Sequence, residues 1–78
     1  MPTVATEGKF RFVIYPRENT FEPPHVHVWT GSEDLCRIEL YSGTFMEEPM
    51  PKEHRKILQA YDRHVGAIRK AWDDIHGR

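Results

Sequence analysis

Two histidines one residue apart, His25 and His27 in the run Glu22-Pro23-Pro24-His25-Val26-His27-Val28, have the type and spacing to do chemistry. On an extended strand, alternate side chains project to one face about 6 to 7 Å apart. That spacing suits an acid/base pair or two ligands of one metal ion. Imidazoles titrate near neutrality, so one ring can take up a proton while the other gives one. A metal site needs further ligands, and the chain has neither HExxH nor CxxC, leaving Glu22, Glu39, His54 and His64 as possible additions. The expectation is therefore no metal and no other cofactor, with a small metal-binding domain as an alternative use of the pair.

Three segments with a two-residue period can position these rings. In residues 9–15, Phe10, Phe12 and Ile14 share one face and Lys9, Arg11, Val13 and Tyr15 the other. Residues 25–29 set Val26 and Val28 against His25, His27 and Trp29; residues 35–41 set Cys36, Ile38 and Leu40 against Leu35, Arg37, Glu39 and Tyr41. Three prolines in residues 16–24 interrupt the first pair of strands, and Gly31 through Asp34 supplies turn chemistry for the second. Short connections favour antiparallel neighbours, which predicts a three-stranded meander in the order 1-2-3. If Trp29 lies opposite Leu35, then His27 faces Arg37 and His25 faces Glu39.

One face of that sheet would gather Arg11, Tyr15, His25, His27, Trp29, Arg37, Glu39 and Tyr41. As chemistry, His25, His27 and Glu39 are the candidate catalytic groups of a metal-independent ribonuclease. Arg11 and Arg37 would anchor phosphate, and Tyr15, Trp29 and Tyr41 would provide rings for stacking or contact. The same residues also suit an ordinary solvated sheet face, or a surface that binds a protein without catalysis.

Beyond the linker SGTFMEEPMP the period changes. Leu58, Tyr61, Val65, Ile68, Trp72 and Ile75 are spaced 3, 4, 3, 4 and 3, which predicts an amphipathic helix over about residues 51–76, with Pro51 in its first turn. Gly66 leaves open a break into two shorter helices near residues 62–66. The fold class is α+β, the meander packed against this long C-terminal helix. A helix of that length measures about 36 Å, against about 20 to 24 Å for the strands. Trp72 and Ile75 should then overhang the sheet, which predicts a homodimer or a complex with a cognate small protein.

The 78 residues suffice for one domain, spanning 1–78, with one core. The net charge of −1 lacks the strongly basic footprint of a dedicated nucleic-acid binder, although RNA remains a possible partner. Residues 1–50 carry four Lys/Arg and eight Asp/Glu; residues 51–78 carry seven and four. The lone Cys36 suits a reducing compartment, and neither an export leader nor a membrane-spanning run is evident, so a soluble cytoplasmic protein is expected.

The His-x-His run is similar to the start of the histidine-triad nucleotide hydrolase motif, but Trp29 stands where the third histidine would be. A broader resemblance covers nearly the whole chain. The opening MPT, the strand GKFRF followed by Tyr15, the EPPHVHV run and a helix closing on AW resemble a bacterial and archaeal family of small proteins, the domain of unknown function numbered four-one-six-zero. Pro23, Pro24, His25 and His27 are the positions matching its signature. The resemblance implies a toxin–antitoxin-like context with a second small protein encoded alongside, and it carries over no catalytic residue.

Overall fold

The computed structural model describes residues 3–17 and 22–77. Met1 and Pro2 of the MPT opening, the middle of the 16–24 connection and Arg78 lie outside the described residues.

Four strands form one antiparallel sheet in sequence order: β1 (Thr3–Glu7), β2 (Phe10–Val13), β3 (His25–Thr30) and β4 (Glu33–Glu39). The meander therefore has one strand more than the sequence pattern indicated. The extra strand, TVATE, carries only Val4 as a large apolar residue, and the register with β2 shifts between Thr3 and Ala5, so no alternation marks it. Gly8, at φ 57°, makes the β1–β2 turn, a conformation that costs glycine little.

The central registers agree with those read from the sequence: His25 lies opposite Glu39 and His27 opposite Arg37. Trp29 lies opposite Asp34 rather than Leu35, because an irregularity between Val28 and Trp29 takes up one residue. Beyond β4 the chain reverses at Gly43 and runs back along the strand. Glu39 N–H donates to Thr44 O at 2.9 Å, Met46 N–H donates to Arg37 O at 3.0 Å, and Ile38 bridges Phe45. The Arg37–Glu39 end of the β4 edge is thereby paired with the chain's own backbone.

The helix α1 (His54–His76) continues through Gly66 without a break. It starts later than Pro51, whose carbonyl accepts the His54 N–H at 3.1 Å. Gly77, at φ 71°, ends it in the left-handed conformation, with its N–H on Asp73 O.

One face of the sheet contributes Phe10, Phe12, Ile14, Val26, Val28, Ile38 and Leu40 to the core, as its alternation indicated. The helix contributes Ile57, Ala60, Tyr61, Ile68 and Trp72, while Leu58, Val65 and Ile75 are partly buried. Its buried stripe is thus turned toward the Ile57 and Ala60 side of the expected one. Polar ties fix this placement. Leu40 O accepts from the buried Tyr61 hydroxyl at 2.9 Å and from Arg69 Nε and Nη2 at 3.2 and 3.0 Å. Glu7 of β1 accepts from Arg63 and lies 3.0 Å from His64 Nε2, joining β1 to the helix.

Candidate functional site

The chain bends at Glu22 and Pro24 and enters β3 at His25, and His25 and His27 stand at alternate positions of that strand as expected. Their surroundings differ from those of a solvated sheet face. His25 is 0% exposed, whereas the His27 side chain retains 12%. Ring contacts run without a gap from Tyr15, just beyond β2, to the end of the helix. Tyr15 meets His27 edge-on at 4.7 Å, His27 meets His25 at 5.3 Å, His25 meets Trp72 at 5.7 Å, and Trp72 stacks on His76 at 3.9 Å. His76 Nε2 donates to Tyr15 O at 3.1 Å, which closes the run on β2's own continuation.

The proton positions on both central rings follow from their partners. His25 Nδ1 lies 2.8 Å from Pro23 O, and a carbonyl can only accept, so Nδ1 carries the hydrogen. His27 Nδ1 lies 3.1 Å from Asp34 Oδ2 and donates in the same way. Each ring is thereby fixed in one orientation. Burial of His25 against Trp72 removes it from the solvent side, where a substrate would approach.

Arg37 is engaged on both sides. Nη1 donates to the two carboxylate oxygens of Glu22 at 2.9 Å each, and Nη2 donates to Glu47. The paired carboxylates raise the guanidinium pKa, Glu47 contributing most, and the Arg37 hydrogen bond holds Glu22 below the usual carboxylate range. A phosphate would have to displace two carboxylates to reach this arginine. Arg11 lies opposite Trp29, its guanidinium 5.9 Å from the indole ring, and donates to Gly31 O. Trp29 Nε1 is buried without an acceptor among the described residues.

Of the other expected site residues, Glu39 keeps its place opposite His25 and is half-buried. Tyr41 leaves the constellation. It follows the end of β4, is 66% exposed, and lies beside helix residue Arg69, whose guanidinium is 5.8 Å from its ring. Val13, on the His27 side of the sheet, is 0% exposed, so the centre of that face is covered as well. Asp34, Glu47, Trp72 and His76 belong to the site although the strand pattern did not select them. Trp72 and His76 were visible only as neighbours four apart on a helix, with nothing to connect them to β3.

Among the described residues, no three His, Cys, Asp or Glu side chains are gathered as a metal site. Cys36 is half-buried, and burial, helped by Asp34 and Glu47, pushes its thiol up to about 12, which keeps it protonated and unreactive near neutrality.

The family model described as Domain of unknown function (DUF4160) matches residues 10–73, from the start of β2 to the last turns of the helix. The chain belongs to that family. The match takes in His25, His27, Arg37 and Trp72, so the ring contacts lie within the DUF4160 region except for His76. No curated protein and no solved structure matches the chain. Among the described residues, no helix is long and apolar enough to cross a membrane.

Proposed function

We propose that this DUF4160 protein is a non-catalytic interaction module whose partner is a second small protein, in the manner of a toxin–antitoxin pair. The observation that carries this reading is the complete burial of His25, with its Nδ1 hydrogen on Pro23 O and its ring against Trp72. A general acid or base must come within hydrogen-bond reach of its substrate. His25 instead ties the start of β3 to the end of the helix. Arg37 contributes to the same picture, because Glu22 and Glu47 already occupy the donors that would grip a phosphate.

The competing reading is a metal-independent ribonuclease using His25, His27 and Glu39, with Arg11 and Arg37 on phosphate. It is separated by assaying purified protein for RNA cleavage in chelator, and by co-expressing it with the product of the adjacent gene. The expected result is no cleavage above buffer and a co-purifying complex. Cleavage that disappears in a folded His27→Ala variant would return the histidines to an acid/base role.

A further inference from the structure

Among the described residues, the strongly exposed large apolar side chains are Tyr41 and Met50, and the two have different surroundings. Tyr41 lies beside Arg69. Met50, 52% exposed, lines two grooves. One groove, of about 370 Å³, has Leu35 and Ile57 among its walls, and the other, of about 260 Å³, has Phe45 and Leu58. An unbranched thioether lining two apolar recesses can repack against side chains of different shape, which is how methionine serves binding surfaces.

Charge selects the occupant. Glu33 and Glu53 line the first groove with Lys52, and Glu47 and Glu48 line the second, where no basic residue is present. Glu53 is already paired with Lys9 and Lys56, and Glu47 with Arg37. Glu33 and Glu48 are exposed, and among the described residues neither has an ion-pair partner. In the first groove Lys52 offsets Glu33, whereas the second combines apolar walls with a carboxylate, that of Glu48, which no basic residue of its lining offsets. Such a rim disfavours a phosphate backbone and favours a side chain with an aliphatic stem and a cationic end.

We infer that the Met50 surface is the docking site for a partner-protein segment in which aliphatic residues are interspersed with arginine or lysine. The inference rests on the interaction-module reading and adds the surface and the chemistry of the partner. Aliphatic side chains enter the two grooves that Met50 lines, and a basic group meets Glu48.

The test is a titration of isotope-labelled protein, followed by amide NMR, with a synthetic peptide of alternating leucine and arginine and with its leucine–glutamate counterpart. The arginine peptide is expected to shift the amides of Leu35, Phe45, Met50 and Leu58, and the glutamate peptide to leave them in place. Met50→Ser and Glu48→Lys, each confirmed as folded by its amide spectrum, should weaken binding roughly tenfold, equivalent to about 1.4 kcal/mol. No binding, shifts confined to other surfaces, equal binding of both peptides, or affinity unchanged in the two variants would overturn the inference. The same variants are then tested with the adjacent gene's product. Retention of that complex by both variants leaves the interaction-module reading standing and removes this surface from it; absence of any complex with wild-type protein counts against the module reading itself.

Discussion

The side chains that appeared most suited to catalysis also make contacts that hold the molecule together. His25 satisfies the Pro23 carbonyl, fills space against Trp72 and touches His27, while Trp72 stacks on His76. The identity and spacing of the pair, and its register with Arg37 and Glu39, were legible in the sequence because a two-residue period and a short hairpin determine them. The burial of His25 was not, since it depends on a tryptophan 47 positions later in the chain. The carboxylates around Arg37 were hidden for the same reason: Glu22 and Glu47 arrive from two different loops. Trp72 should therefore matter more to folding than to any surface contact. Trp72→Ala is expected to destabilise the protein by about 3 to 5 kcal/mol, as for other large aromatic truncations in a core. Chemical denaturation measures this directly, and a loss below about 1 kcal/mol would place Trp72 outside the core.

At the level of elements, three strands and the helix were legible because their apolar residues repeat cleanly. β1 was not, since Thr3, Ala5 and Thr6 give it little apolar content and the irregularity near Val4 breaks its period. The rotation of the helix follows from what β1 adds. Glu7 draws Arg63 and His64 toward the added strand, and Ile57 and Ala60 enter the core in place of a seam centred on Leu58 and Val65. Gly66 neither breaks nor bends this helix into two elements, is exposed, and has no atom within 4 Å of an added Cβ. Its glycine freedom is therefore a cost without a steric purpose. Gly66→Ala is expected to stabilise the fold by about 0.5 to 1 kcal/mol, measured as a rise in Tm. A fall in Tm would show that the glycine meets a requirement of backbone or packing absent from the helix as described.

Across the whole molecule, the overhang inferred from helix length is met within the chain. Trp72 is 8% exposed and Ile75 is packed against the core, because Tyr15 and His25 reach the end of the helix. The need for a second copy along that seam is correspondingly smaller. Ion pairs complete the assembly and set its response to acid. Glu7, Glu22 and Glu53 are all held below the ordinary carboxyl value of 4.5, chiefly by hydrogen bonds from Arg63, Arg37 and Lys9 respectively. A depressed folded-state pKa contributes stability that is present above the unfolded value and is lost as pH falls through the folded one. Denaturation midpoints should therefore decline as the pH is lowered past about 4.5. Glu7→Gln should lower stability at neutral pH and make that decline shallower; an unchanged pH profile would remove Glu7 from the tie between β1 and the helix.

The central claim, that the histidine-bearing fold binds a protein partner rather than turning over a substrate, is tested most directly by light scattering on size-exclusion peaks. The samples are the wild-type and His27→Gln chains, each co-expressed with the adjacent gene's product. The expected result is one stable hetero-complex in both cases, with the mass of the joined chains. Separate elution of the two wild-type proteins would contradict the claim.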